Sequence, residues 1–307
     1  MKTLRRLALG TDLVALATVM LGSWTRIQGA GETCPDWPLC HGKVVPLFSE
    51  GTIWEWAHRL LAFLVAPLVI ALIVAAWRKR DRSPFVAPTV AIIAALFLAQ
   101  VLLGAATVYL ANSPMSVVLH WGTAMAFIAA LSAMAIFAAA AESAENPAAG
   151  RSPSTIALTA VLAATAIATF LTMCVGAYVS SSGAGLACLS IPGCAGNVVV
   201  YTDGQIVQMV HRFAAGATLV CAAGALAFAW ARPASTRVRV AVTVGVALIC
   251  IQVLLGLLNV VLRLPTDLRE AHAVNAALAF LAFVIATVFA ALDAAPLRSG
   301  DSAVASR

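Results

Sequence analysis

Residues 83–109 read SPFVAPTVAIIAALFLAQVLLGAATVY, and this segment opens the longest stretch of the chain that has no charged side chain. No Asp, Glu, Lys or Arg occurs from Ser83 to Ala141, which is 59 residues. A helix that crosses the hydrocarbon core of a bilayer needs about 20 apolar residues. The stretch therefore predicts two membrane-spanning helices, joined by a short turn at residues 112–114.

The composition of the whole chain of 307 residues indicates the same class. Hydrophobic residues make up 62%, charged residues 10%, and the mean hydropathy is +0.96. Soluble domains carry roughly 25% charged residues, so these values exclude a soluble globular protein, a disordered chain and a nucleic-acid-binding module. The net charge of +6 comes from basic residues clustered between apolar runs, a pattern by which membrane proteins set their orientation.

Charge-free runs along the rest of the chain predict an all-α polytopic membrane protein with eight transmembrane helices. The start of the chain, where Lys2, Arg5 and Arg6 precede an apolar run, also fits a signal peptide. That run has no clear small-residue cleavage site, so we predict that it is retained as the first helix. The approximate helix bounds are 7–27, 54–77, 86–109, 115–140, 155–178, 206–231, 238–262 and 269–292.

The distribution of basic residues predicts the orientation of these helices. Basic residues cluster before the first helix and in the second and sixth loops, which the positive-inside rule assigns to the cytoplasm. The fourth loop fits this rule only weakly, because it holds Glu142 and Glu145 against Arg151. We expect a multi-pass protein of the bacterial inner membrane with both termini in the cytoplasm. The two longest loops, 28–53 and 179–205, then lie outside.

An internal duplication organises the helices. The segment LAQVLLG at 98–104 recurs as CIQVLLG at 250–256, and the Gln in each copy precedes a His by 20 residues. Each half contains four helices, a loop with two cysteines, and one His near the start of its second and fourth helices. The sequence thus predicts two duplicated four-helix bundles, residues 1–145 and 146–307. Since each half has an even number of spans, the two are related by an axis along the membrane normal.

The two long outer loops each contain a pair of cysteines six positions apart. The pairs are Cys34 with Cys40 and Cys188 with Cys194. The outer side of a bacterial membrane permits disulfides, so a disulfide within each loop is one interpretation. A metal site is a second interpretation, although the CxxC spacing is absent. Small loop residues without any bond are a third.

Four histidines occupy matching positions in the two halves: His58, His120, His211 and His272. All four enter helices from the predicted outer side, about one turn into the span, where ionisable residues are rare and usually functional. Two imidazoles on facing helices of a four-helix bundle suit axial ligation of a haem iron. Zinc fits less well, because it takes about four ligands in one site. For each His alone, a structural residue bonded to a backbone carbonyl is the alternative.

One position distinguishes the two halves. Glu55 lies three residues before His58 and shares its helix face, whereas Gln208 takes the equivalent position before His211. A carboxylate beside one haem site and an amide beside the other predict a division of labour. The first site would carry out acid–base chemistry and the second would only carry electrons. A solvated Glu at the membrane interface is the alternative.

Several residues near the histidines suit a flat, anionic macrocycle. Three arginines are candidates for contacts to haem propionates, with snorkelling to the interface as the alternative: Arg26, Arg59 and Arg212. Five small residues would let helices approach the ring, with ordinary helix packing as the alternative: Gly104, Ala105, Gly176, Gly216 and Gly256.

The segment TRIQGAGETCPDWPLCHG at 25–42 resembles the first outer loop of haem A synthases. The segment EWAHR at 55–59, the second Cys pair after SGAGLA at 182–187, and the four histidines also match that family. The resemblance covers about residues 7–292. Glu32 and Thr33 depart from the family pattern, in which small or apolar residues precede Cys34, and place an extra charge near the mouth of the substrate site.

The resemblance implies a water-dependent oxidoreductase that oxidises the C8 methyl group of haem O, through the alcohol, to a formyl group. The product is haem A, which serves terminal oxidases. The resemblance assigns Glu55 as the essential glutamate and places the substrate haem at His58 and His120. It places a haem b cofactor between His211 and His272.

The resemblance also implies two disulfides, Cys34–Cys40 with a redox or structural role and Cys188–Cys194 with a structural one. The expected partners are haem O, membrane lipid and an unidentified electron acceptor, and a complex with haem O synthase is compatible with this function. Two other functions remain as alternatives. A non-catalytic dihaem b-type electron carrier needs the His pairs but not Glu55, and a haem transporter would leave its haem chemically unchanged.

Overall fold

The computed structural model describes residues 1–49, 51–143, 153–194 and 200–294. These residues form eight long α-helices and two short 3₁₀ helices, Arg80–Arg82 and Ala184–Leu186, without any β-strand. All eight α-helices are long and apolar enough to cross a membrane, which confirms the predicted all-α polytopic class. They are α1 (Lys2–Ile27), α2 (Thr52–Trp77), α3 (Val86–Tyr109), α4 (Pro114–Glu142), α5 (Pro153–Ser181), α6 (Asp203–Ala231), α7 (Thr236–Val261) and α8 (Thr266–Asp293).

The helix ends agree with the predicted bounds to within three residues, except that α1 begins at Lys2 instead of residue 7. The prediction counted only the apolar run. Lys and Arg are good helix formers, and Arg5 pairs with Glu142 at the end of α4, with Nη1 and Oε2 separated by 3.4 Å. The charged first turn therefore continues the helix beyond its apolar part.

The helices of each half pack in the same order. In the first half α1 contacts α2 and α4, and α3 also contacts both; in the second half α5, α6, α7 and α8 repeat this closed ring. The halves meet through α4 against α8, α4 against α5 and α1 against α8. Exchanging the halves leaves this set of contacts unchanged, as expected for an approximate twofold axis parallel to the helices. The predicted domain boundary at 145/146 lies outside the described residues.

Two short turns set the position of α4 and α8. Each contains two consecutive non-glycine residues with positive φ, a left-handed conformation that is uncommon outside glycine. They are Ala111 and Asn112 (46° and 48°) before α4, and Arg263 and Leu264 (62° and 61°) before α8. The backbone thus follows the same path into both helices, and the histidine that follows lies at the same distance along each.

Several threonine hydroxyl groups inside the spans donate to carbonyl groups of their own helix. Thr11 and Thr165, which are equivalent in the two halves, each donate to the carbonyl four residues earlier at 2.8 and 2.9 Å. Large apolar side chains such as Phe63 and Val220 are exposed on the outside of the bundles. An apolar exterior, together with hydroxyl groups that are bonded inside the bundle, suits a lipid environment.

Candidate functional site

The four matching histidines lie near the end of the bundles that carries the Cys-pair loops. Three stand six residues after the first residue of their helix and His211 stands eight residues after, which is about 9–12 Å along the axis. They lie closer to two turns into the helix than to the single turn expected. All four side chains are half-buried. His58 interacts electrostatically with His120, and His211 with His272, so the structure brings the predicted pairs together.

Each imidazole packs against a glycine of a neighbouring helix. A Cβ atom added at Gly22 would lie 2.6 Å from Cε1 of His58, and one at Gly176 would lie 2.8 Å from Cε1 of His211. Gly104 faces His120 and Gly256 faces His272 in the same way, each at 3.2 Å. Gly104, Gly176 and Gly256 therefore make room for the imidazole rings, and their predicted contact with a macrocycle stays a prediction. A Cβ atom added at Gly216 would have nothing within 4 Å. Gly22 was missed, although its spacing of 154 residues from Gly176 repeats that of the Cys pairs.

In the first half both histidines have a polar neighbour. Nδ1 of His58 lies 2.9 Å from the carbonyl oxygen of Thr18, which fixes the ring and leaves Nε2 for a ligand. The amide nitrogen of Gln100 lies 3.1 and 3.3 Å from the two ring nitrogens of His120. The Gln100 amide therefore contacts the ring of His120 directly.

In the second half the equivalent glutamine is held away from the ring. Gln252 accepts a hydrogen bond from Asn275 at 2.7 Å and donates to the backbone carbonyl of His272 at 3.0 Å. Asn275 replaces Thr123 of the first half, a difference that sequence reasoning missed. Nδ1 of His272 is buried and has no partner among the described residues. Buried polar atoms are normally bonded, and Nδ1 of His58 is, so the two halves differ in how they hold this ring nitrogen.

His211 also has an unsatisfied ring nitrogen. Its Nδ1 lies near the carbonyl of Thr172, the equivalent of Thr18, but outside hydrogen-bond geometry among the described residues. In the described part of the chain no three His, Cys, Asp or Glu side chains are close enough to hold a metal ion together. Two imidazoles in glycine-lined space fit the iron of a haem, which needs only axial ligands from the protein.

Glu55 lies in a closed polar pocket at the start of α2. Its side chain is only about 5% exposed, so it is not the solvated interfacial residue that was the alternative. Oε2 accepts hydrogen bonds from the hydroxyl of Thr33 and the amide of Cys34, both at 2.9 Å. Oε1 pairs with Nη2 of Arg59 at 2.6 Å. A buried carboxylate is thus held in place by a charge and two neutral donors, of which Thr33 could not be anticipated from the sequence.

Gln208 takes the same place in the second half. It is about 4% exposed, its Oε1 accepts from the amide of Cys188 at 2.5 Å, and its Nε2 donates to the carbonyl of Gly185 at 2.8 Å. Both side chains therefore anchor the first Cys of their loop to the helix that carries the His. The two positions share this structural task, and the charge of Glu55 is the feature that they do not share.

The cysteines of each Cys-pair loop lie in disulfide geometry, with Cα atoms 4.7 Å apart for Cys34–Cys40 and 4.5 Å for Cys188–Cys194. A neighbouring arginine binds the carbonyl oxygens of each loop. Arg59 donates to the carbonyls at positions 34, 36 and 39. Arg212 donates to those at 188, 190, 192 and 193. Both guanidinium groups hold their loops by hydrogen bonds to backbone carbonyls in this structure. The predicted contact of these arginines with haem propionates stays a prediction.

The third predicted propionate contact, Arg26, lies between the two bundles. Its Nη2 donates to the hydroxyl of Ser180 on α5 at 3.2 Å, and it interacts electrostatically with Arg269 and Glu270 of α8. Ser23, on the same helix as Arg26, donates to Glu270 at 2.7 Å. A polar cluster therefore joins the halves at the level of the histidines.

The loop that closes over Glu55 carries two acidic groups. Glu32 is exposed, and its place at the mouth of the substrate site stays a prediction. The hydrogen bond from the amide of Gly42, with a further one from His41, lowers the pKa of Asp36 below its ordinary value. Asp36 therefore stays ionised and orders the turn that follows Cys40.

Comparisons with known proteins agree with this site. The family model described as "Cytochrome oxidase assembly protein" matches residues 5–52 and 47–284. The chain is 33% identical to "Heme A synthase" of Shouchella clausii over 220 residues, which cover 70% of this chain and 72% of that protein. It is 28% identical to "Heme A synthase" of Bacillus licheniformis over 290 residues, covering 89% and 91%. It is 29% identical to "Heme A synthase" of Symbiobacterium thermophilum over 227 residues, which cover 72% of this chain and 73% of that protein.

The matched ranges span both Cys pairs, all four histidines and Glu55, so the comparison extends over the site as well as over the helices. The chain belongs to the family of cytochrome oxidase assembly proteins.

Proposed function

We propose that the chain is a haem A synthase, a membrane oxidoreductase that converts the C8 methyl group of haem O to the formyl group of haem A. Its relatives carry that name, and the family model covers most of the chain. The observation that carries the proposal is the buried carboxylate of Glu55 beside one of two otherwise matched His pairs. Neither an electron carrier nor a haem transporter needs a proton acceptor at that place.

The proposal divides the work between the halves. The substrate haem binds in residues 1–145 at His58 and His120, and haem b is held in residues 146–307 between His211 and His272. The hydrogen-bonded Gln252–Asn275 pair, which is held away from the His272 ring, supports a site that keeps its haem. The amide of Gln100 at His120 supports a site that its ligand can enter and leave. When bound, haem b supplies a redox centre that takes up one electron at a time.

The chain's own contribution to the reaction is to hold the substrate and accept protons. Oxidation of a methyl group to an alcohol and then to an aldehyde releases protons at each step. The two oxygens of a carboxylate accept about four hydrogen bonds in all. Oε2 of Glu55 already has two donors, but Oε1 has only Arg59. Oε1 is therefore the atom that we assign as the proton acceptor, and the ion pair with Arg59 holds it in place.

The membrane setting is part of the proposal. The protein lies in the bacterial cell membrane with both termini in the cytoplasm and the Cys-pair loops outside, as the basic residues of the loops indicate. Haem O is an apolar, farnesylated substrate, so it enters the first bundle from the bilayer. A complex with haem O synthase would shorten that transfer.

Identification of the bound haems tests the proposal against its two rivals. We expect protein purified from cells that make haem O to release haem b together with haem O, the alcohol or haem A. The measurement is the mass of each pigment after extraction. Haem b alone in a protein that never yields an oxidised haem would favour the electron carrier, and haem O that remains unchanged would favour the transporter.

The glycine that faces His211 provides a test of the cofactor site. Gly176→Ala places a methyl group 2.8 Å from the ring, and overpacking of this kind costs about 1–3 kcal/mol. We expect the displaced imidazole to lower the haem b content of the purified protein, measured by visible absorbance per chain. Gly224→Ala on α6 is the matched control, because nothing lies within 4 Å of that position. Equal haem content in both variants would contradict this arrangement.

A further inference from the structure

A cavity of about 320 Å³ opens at the end of the bundles opposite to the Cys-pair loops. It lies between the two halves, lined by α1, α4, α8 and the first turn of α7. Most of its wall is apolar, with Ile285 and Phe289 on one side and small alanines of α4 on the other. Two of its lining helices, α4 and α8, also carry His120 and His272 toward their other ends.

An acidic side chain reaches into this apolar cavity. Asp12 lies ten residues into α1, and its Oδ2 accepts a hydrogen bond from the hydroxyl of Ser132 at 2.7 Å. Its other oxygen, Oδ1, is buried and has no partner among the described residues. An ionisable residue inside a membrane span is costly and marks a functional site.

The pair is absent from the second half. The positions equivalent to Asp12 and Ser132 are Ala166 and Val284, whereas the neighbouring Thr11 is retained as Thr165. The shared architecture therefore does not require Asp12, and its function belongs to a process that only one copy of the repeat supports.

The arginines at the mouth of the cavity argue against an anionic ligand. Arg5 pairs with Glu142 at 3.4 Å, and Arg237 pairs with Asp293 at 2.6 Å. Their charges are thus balanced by the chain itself. Among the described residues that line the cavity, Oδ1 of Asp12 is an acceptor without a partner, and it suits a neutral ligand with a hydroxyl group. The apolar wall with Phe289 suits a flat ring that carries a lipid-soluble tail.

We propose that this cavity binds a membrane quinone, which accepts the electrons released by haem O oxidation. The proposal rests on the proposed function and supplies its electron acceptor. Each two-electron oxidation at the methyl carbon releases two electrons and two protons, and one quinone takes up both to become a hydroquinone. Conversion of methyl to formyl consumes one water and two quinones and yields two hydroquinones. Oδ1 of Asp12 is covered in this structure, so the carboxyl group turns toward the cavity when it accepts a hydrogen bond from a hydroquinone hydroxyl. The hydroxyl of Ser132 can turn toward a quinone carbonyl.

The test runs electron transfer in reverse on the purified full-length protein with its haem b. Decylubiquinol is added, and reduction of haem b is followed by visible absorbance. We expect saturable reduction in the wild type, and a half-saturating concentration at least about tenfold higher in Asp12→Leu, since loss of a hydrogen bond to a buried group has about that effect. Asp12→Asn keeps a hydrogen-bonding group and is expected to bind more tightly than Asp12→Leu.

Two controls separate a lost quinone site from a damaged protein. Dithionite is expected to reduce haem b fully in every variant. Thr165→Val removes a buried hydroxyl at the same depth in the other half and is expected to leave the decylubiquinol response unchanged. Reduction that is absent in the wild type, or that has the same concentration dependence in Asp12→Leu, overturns the proposal.

A third arm distinguishes failure of the acceptor site from failure of the enzyme assignment. Oxidation of haem O with ferricyanide as the electron acceptor bypasses the cavity, so Asp12→Leu is expected to match the wild type. If the wild type oxidises no haem O with ferricyanide, the proposed function is wrong. In that case equilibrium binding of decylubiquinone to the wild type and to Asp12→Leu still decides whether the cavity is a quinone site.

Discussion

Glu55→Gln is expected to stop haem A formation and to leave the fold and the haem b content unchanged. General acid–base catalysis contributes about 10²–10⁴-fold to a rate, so the accumulated pigment should be haem O or the alcohol. The measurement is the ratio of haem O, alcohol and haem A extracted from cells that express the variant together with haem O synthase and have no other haem A synthase.

The second half of the molecule shows why this variant should fold. Gln208 already occupies the equivalent place, and its amide oxygen accepts from Cys188 as Glu55 accepts from Cys34. A glutamine at position 55 can therefore anchor the first loop without offering a proton acceptor. Unchanged haem b absorbance would confirm that the variant is intact.

Thr33→Ala serves as the comparison variant for Glu55. It removes one donor to Oε2 but keeps the carboxylate, the Cys34 amide and the ion pair with Arg59. We expect a much smaller loss of haem A than in Glu55→Gln. Wild-type output of haem A from Glu55→Gln would show that Glu55 only anchors the loop and has no part in the chemistry.

The eight helices could be predicted because each membrane span requires a charge-free apolar run of about 20 residues, which is visible in the sequence. Apolar runs of sufficient length separated by charges determine where each helix crosses, and the repeat then pairs the halves. The start of α1 was missed because Lys2, Arg5 and Arg6 continue the helix outside the apolar run, where hydropathy carries no signal. Their helical state depends partly on the contact between Arg5 and Glu142, which are distant in sequence.

The polar contacts of the site were predictable only in part. The histidines and Glu55 stood out because a duplicated chain allows each position to be compared with its copy. The same comparison would have singled out Asp12 against Ala166 and Asn275 against Thr123 had it been extended to every polar residue in the spans. Which donors surround Glu55, and that Arg59 and Arg212 clamp backbone carbonyls, depends on how the loops fold over the helix ends. No spacing in the sequence encodes those contacts.

His272→Ala is expected to remove haem b from the protein, whereas His120→Ala is expected to retain it. The two residues form a matched pair. Both stand six residues after the start of their helix, and in each the ring atom Cε1 lies 3.2 Å from the place where a Cβ atom added to the facing glycine would be. Loss of groups that merely support a metal ligand weakens binding about 10–100-fold, so loss of an axial ligand should exceed this. The measurement is haem b absorbance per chain after purification.

The difference between these variants would locate the cofactor, because a general effect on folding would lower the haem content of both. His120→Ala should instead lose haem O and haem A from the extracted pigment, since it disturbs only the substrate site. His211→Ala should lose haem b, as His272→Ala does. His58→Ala should retain haem b and lose haem O and haem A, as His120→Ala does. Retention of haem b in His272→Ala together with its loss in His120→Ala would place the cofactor in the first bundle, and Glu55 would then lie beside the cofactor and away from the substrate.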